Sequence, residues 1–239
     1  MEYIIAIPSY KRSTTINDKV IKLLEKHNID KNKIFIFVEE SEIETYKKEL
    51  PEYNIIKGAK GIARQREAIS KYFSEDQPIV SIDDDVEEIY EHNKPIINLD
   101  YFIKDTFEFL NMNNLTMAGV YPVANWFFCK PTITTDLRFC AGAFKLYLNK
   151  HELEQRKYEL LEDYENTLVH YRHCNGVMRY NYIYLKVNYN SGKGGLKEYR
   201  NNERKKKEVN SFFQDYISYC KIKKTGLDVS LIKNPHSHS

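Results

Sequence analysis

The sequence has no apolar run approaching the ~20 residues that cross a bilayer, and its start, Met1-Glu2-Tyr3-Ile4, lacks the basic stretch and cleavage site of a secretory leader. The expectation is a cytoplasmic protein without a membrane partner. Cysteine is scarce: Cys129, Cys140, Cys174 and Cys220 are the 4 present, and no two stand in CxxC spacing. That argues against a zinc knuckle, a redox motif and a disulfide scaffold, and leaves reduced, mostly buried thiols. No repeat or linker-like tract interrupts the 239 residues, so one domain is expected. Its expected divisions are residues 1–90, residues 91–200, a basic helix (201–233) and a tail (234–239).

A large charge excess is also missing, since the net charge is +2. The even balance conceals an asymmetry: residues 192–239 carry 11 Lys and Arg against 5 Asp and Glu. The basic end is a candidate polyanion contact, or else a solvated helix face.

What the first half does contain is an alternation of short apolar runs with amphipathic stretches, the pattern of βαβ units around a largely parallel sheet. Strands are expected at 3–7, 34–38, 53–56 and 78–82, and helices at about 14–27, 41–50 and 61–73. The second half is less regular. Helices are expected near 99–111, 158–173 and 202–223, extended segments near 115–121, 126–128, 139–148 and 177–187, and a Gly-containing loop at 188–195.

In an open α/β sheet, ligands bind outside the carboxyl ends of the strands. Four clusters fall there: Pro8-Ser9-Tyr10-Lys11-Arg12, Glu39-Glu40, Lys60-Gly61 and Asp83-Asp84-Asp85. Three consecutive acids repel one another, and a divalent cation is an economical neutraliser. Alternation along an extended segment lets Asp83 and Asp85 face one site, and oxygen-only ligands suit Mg²⁺ or Mn²⁺. The competing reading is that the acids open a following helix and are favoured by its dipole. Gly61 at a helix start leaves amides for an anion, with Arg64 and Arg66 able to approach a diphosphate or merely to decorate the helix. Glu162-Asp163 reads on its own as a solvated helix face. His170 and His173 lack a third ligand at metal-binding spacing, Trp126-Phe127-Phe128 reads as core, and Cys140 reads as packing.

The order of these clusters resembles that of GT-A nucleotide-sugar glycosyltransferases. The wording is closest to the TET-associated glycosyltransferases of phages and large DNA viruses, proposed to glycosylate hydroxymethylated pyrimidines in DNA. The similarity runs through Ile5 to Arg12, Ile34 to Glu39, Lys60 to Arg66, Ile79 to Ile89, Gly119 to Phe128, Thr135 to Phe139, Glu162 to Tyr164 and Gly194-Gly195-Leu196.

The resemblance implies an α/β GT-A fold, with a mostly parallel sheet flanked by helices and a C-terminal acceptor-side helical region. It implies an inverting hexosyltransferase that uses a UDP-sugar, UDP-glucose first, with Mn²⁺ or Mg²⁺ on Asp83 and Asp85. Pro8, Ser9, Tyr10, Arg12, Glu39, Gly61, Arg64, Arg66, Asp83 and Asp84 would hold the donor. Asp163, with Glu162 beside it, would be the general base, and hydroxymethylated DNA the acceptor. Glu39-Glu40 stands where the family more often has Asp. The alternatives are a transferase acting on a saccharide or lipid-linked acceptor and a catalytically silent binding module.

Overall fold

The computed structural model describes residues 2–187, 201–233 and 235. Strands β1 (Ile4–Pro8), β2 (Ile34–Val38), β3 (Asn54–Lys57) and β4 (Pro78–Ile82) are parallel, in the spatial order β3-β2-β1-β4. Parallel neighbours need crossovers, which are supplied by α1 (Lys22–Lys26) with its leading π-helical turn Asn17–Ile21, by α2 (Ile43–Glu49) and by α3 (Ile62–Tyr72).

After the acid triple comes β5 (Val86–Glu91), then β6 (Lys94–Pro95), α4 (Leu99–Met112), β7 (Met117–Tyr121), β8 (Ile133–Thr134), β9 (Phe144–Leu148), α5 (Glu162–Cys174) and β10 (Met178–Val187). These extend the sheet from β4 in the order β9-β7-β10-β5-β6, with β8 also pairing with β10. β9 runs antiparallel to both β4 and β7, and β10 runs parallel to β7. The chain closes with α6 (Asn202–Asp215) and the hairpin β11 (Cys220–Ile222) and β12 (Val229–Leu231).

Period-2 alternation gives the sheet two apolar faces. Ile5, Ile7 and Val80 face α1 and α4, joining Leu23, Leu24, Ile103 and Phe107. Ala6, Phe37 and Ile79 face the other way, with Ile69 of α3, Leu168 of α5 and Val209 and Phe212 of α6. The second layer carries the helices that approach the acids.

Several elements differ from the sequence expectation. No helix follows Asp83-Asp84-Asp85; a strand does, so helix-dipole stabilisation is not the reason for the triple. Trp126–Phe128 is a 3₁₀ turn, and Phe127 is 84% exposed, so it is neither strand nor core. The last helix stops at Asp215, because Cys220 and Val229 are buried in the terminal hairpin. The loop expected at 188–195, with Gly194-Gly195-Leu196, lies outside the described residues, as does most of the tail. Among the described residues no helix is long and apolar enough to cross a membrane.

Candidate active site

Strands β1, β2 and β4 end side by side. Ser9 N donates to Phe37 O at 3.0 Å, and Gln65 of α3 donates from Nε2 to the same carbonyl at 2.5 Å, tying the start of α3 to the strand ends. Asp83 N donates to Ala143 O at 2.9 Å, which brings the approach to β9 onto the acid triple.

The loop after β1 closes on these acids. Ser9 Oγ donates to Asp84 Oδ2 at 2.5 Å and meets Tyr46 Oη at 2.7 Å. Arg12 Nη1 reaches Asp84 Oδ1 and lies 3.0 Å from Asp85 Oδ2. Both oxygens of Asp84 are therefore committed to the protein. Burial raises Asp84 above the usual carboxylate range, against the opposing pull of Arg12 and Ser9. Pro8 ends β1. Tyr10 and Glu39 are half-buried at the rim, and Lys11 N donates to Glu42 Oε1 at 2.8 Å.

Arg66 gathers the remaining acids from inside. It is 2% exposed; Nε donates to Glu162 Oε1 at 2.8 Å, Nη1 to Ser81 Oγ at 2.9 Å and Nη2 to Asp83 Oδ1 at 3.3 Å. A side chain bonded on all three nitrogens organises carboxylates and does not extend to a diphosphate. Asp83 is pushed up to about 7, by withdrawal from water and by Asp85 and Asp84, with Arg66 opposing.

Glu162 and Asp163 open α5 beside this cluster. Burial would raise Glu162, but Arg66, Asp163, Lys145 and Arg156 outweigh it and hold Glu162 at about 2. Asp163 moves the opposite way, raised well above its ordinary value by burial and by the adjacent Glu162 charge. Among the described residues Asp163 Oδ1 is buried without a hydrogen-bond partner. A methyl group at Gly142 would collide with that oxygen and with Arg66 Nη2, so only glycine lets the β9 approach pass so close.

Two expected donor contacts lie elsewhere. Gly61 has φ +88°, but the amides of Ile62 and Ala63 that follow it are hydrogen-bonded to the Glu159 carboxylate, which occupies the helix N-terminus. Arg64 is on the opposite side of α3 from Arg66 and pairs with Glu67 at 2.8 Å. It faces a cleft of about 500 Å³ that Lys71 and Lys157 also line.

The sequence offered no sign of the buried polar layer behind the acids. Arg156 Nη2 donates to Glu154 Oε2 at 2.6 Å, Glu154 Oε1 faces His170 Nε2 at 2.8 Å, and Lys145 Nζ bonds Asn166. Burial lowers Lys145 to about 8, with Glu154 opposing. These positions follow no periodic pattern. Cys140 is fully buried against Gly119, and burial pushes its thiol up to about 12, so it serves packing and not nucleophilic chemistry.

The donor set suits a hard divalent cation. Arg66 engages Asp83 through Oδ1 and Arg12 engages Asp85 through Oδ2, so each arginine bonds one oxygen of its carboxylate. Among the described residues no group of three or more His, Cys, Asp and Glu is gathered for a metal. Two carboxylates with water and substrate phosphate are an ordinary Mg²⁺ shell.

No protein-family model matches the chain, and no curated protein sequence matches it. Solved structures do resemble it. S. aureus TarS 1-349 in complex with UDP-GlcNAc has a TM-score of 0.52 at 13% identity, covering 89% of this chain and 67% of that one. A second TarS 1-349 structure gives 0.49 at 12% identity, over 89% of this chain and 66% of that one. The chain thus spans about two thirds of the TarS segment, and what it shares with that protein is the architecture, an α/β, Rossmann-like fold of the GT-A type.

Proposed function

We propose that the chain is a metal-dependent, inverting glycosyltransferase that moves a hexose from a UDP-sugar to a hydroxyl on a hydroxymethylated pyrimidine in DNA. The observation that carries the reading is the convergence, around buried Arg66, of Asp83 from the end of β4 with the Glu162-Asp163 pair from the start of α5. Chain positions roughly 80 residues apart are brought together with an unpartnered Asp163 oxygen among them. A structure of the same fold holds UDP-GlcNAc, which supports a UDP-sugar donor.

Asp83 and Asp85 are the residues to hold a divalent cation, which when bound would neutralise charge growing on the leaving diphosphate. Arg12 keeps Asp84 and Asp85 in register, and Arg66 does the same for Asp83 and Glu162. In the proposed step the acceptor oxygen attacks the anomeric carbon, the bond from that carbon to the diphosphate oxygen breaks, and the acceptor proton passes to the Asp163 carboxylate. Burial and the Glu162 charge raise the pKa of the Asp163 carboxyl, and in its ionised form such a group is a stronger proton acceptor than a free carboxylate. Glu162 is kept ionised by Arg66. The DNA acceptor is supported by the family resemblance and by the cationic run Arg204, Lys205, Lys206 and Lys207 on α6.

Calorimetry of UDP binding tests the donor half of this reading. Affinity should depend on Mn²⁺ or Mg²⁺, and Asp85→Asn should remove the dependence. Equal affinity in EDTA contradicts the metal role.

A further inference from the structure

We infer that Glu208 of α6 is a positioning residue for the general base, an assignment that rests on the reading of Asp163 given above. The turn at 157–161, which delivers the chain into α5, is held by carboxylates. Glu165 Oε2 accepts from Lys157 N at 2.9 Å and Tyr158 N at 3.0 Å. Glu208 Oε1 accepts from Leu160 N at 2.5 Å and Leu161 N at 3.0 Å. Leu161 is the N-cap of α5 and has no capping side chain of its own, and the carboxylate from α6 binds the amide of the N-cap residue itself and the one before it. It also places negative charge at the positive end of α5.

Asp163 is two residues beyond the Glu208 contact, in the first turn of α5. The direction of its side chain is therefore set by the path of residues 160–161. The turn also carries Glu159, whose carboxylate holds the Ile62 and Ala63 amides of α3, four residues before Arg66. Glu208 thus fixes a turn that braces α5, which bears Glu162 and Asp163, and α3, which bears Arg66. Charge-assisted bonds to two successive amides give a sharper geometric constraint than water would.

The contact is separable from the docking of α6. Val209 and Phe212 are fully buried, Tyr158 Oη donates to Asp215 Oδ2 at 2.6 Å, and Lys157 pairs with the same carboxylate. Loss of the Glu208 carboxylate should loosen the turn while the helix stays in place. Catalytic geometry is unforgiving, and a displacement of about 1 Å caused by a remote change can cost about 100-fold.

The test compares Glu208→Ala, Glu208→Gln, Asp163→Asn and the double variant Glu208→Ala/Asp163→Asn, with UDP release from UDP-sugars and amide exchange as readouts. Glu208→Ala should lower kcat between about 10- and 100-fold with little change in donor KM. Exchange at Leu160 and Leu161 should accelerate. Glu208→Gln retains a carbonyl oxygen for the same two amides and should recover most of both properties. The double variant should be no slower than Asp163→Asn alone, because the two side chains act through one geometry. Additive losses, failure of Gln to rescue, or unchanged exchange in Glu208→Ala would overturn the positioning role. Wild-type turnover in Asp163→Asn would instead overturn the assignment of the base, whatever Glu208 does.

Discussion

Asp83, Asp84, Asp85, Glu162 and Asp163 crowd one end of the molecule, where Arg12 and Arg66 pair with all of them except Asp163. Asp83 bears the strain of that arrangement. Its folded pKa is raised to about 7, so its contribution to stability is full below the unfolded value and is lost as pH climbs toward 7. Asp83→Asn removes the charge and should raise Tm by a few degrees at pH 8, with the gain shrinking to nothing near pH 4. A variant less stable than wild type at pH 8 would contradict this in thermal unfolding followed by circular dichroism. The acids themselves were legible in the sequence, because a run of three carboxylates is conspicuous. Their partners were not: Arg66 and Glu162 are 96 residues apart and Arg12 and Asp84 are 72 apart, and pairings of that range leave no periodic trace.

The elements of residues 1–90 announced themselves, since β1, β2 and β4 are short, mainly apolar runs and α3 starts just past a glycine. β5 did not, because its partner is β10, with Val86 set against Val187 about 100 residues further on. The same holds for the carboxylates that terminate helices from outside, Glu159 on α3 and Glu208 before α5. Gly142 is the most sensitive point of the β9 approach. Gly142→Ala places a methyl group against Asp163 Oδ1 and Arg66 Nη2, both of which would have to shift, and Arg66 would have to break bonds to do so. It should cost about 1–3 kcal/mol in urea unfolding, the usual range for overpacking, and should remove nearly all turnover. Full activity in this variant would show that the acids are not held where the structure has them.

At the scale of the whole molecule two charged groups stand apart among the described residues: the acids at the carboxyl edge of the sheet and the cationic run Arg204 to Lys207 on α6. Lys207 pairs with Glu203 at 3.2 Å, but both are exposed, and such pairs contribute little, so the lysine stays available to a polyanion. DNA affinity should fall with salt at a log–log slope of about −0.9 per phosphate contacted. Replacing Lys205, Lys206 and Lys207 with Gln should flatten that slope for all sequences alike, because phosphate contacts position the polymer without reading it. No salt-dependent binding to single- or double-stranded DNA would favour a saccharide acceptor.

The most direct measurement is mass spectrometry of hydroxymethylated and plain oligonucleotides after incubation with the protein, Mn²⁺ and a panel of nucleotide sugars. One hexose added to the hydroxymethylated strand alone, from a UDP donor and in the configuration inverted from that donor, is the expected result. No mass gain on DNA with any donor, from protein that binds UDP in a cation-dependent way, would contradict the DNA acceptor, and an α-linked product from an α-configured donor would contradict inversion.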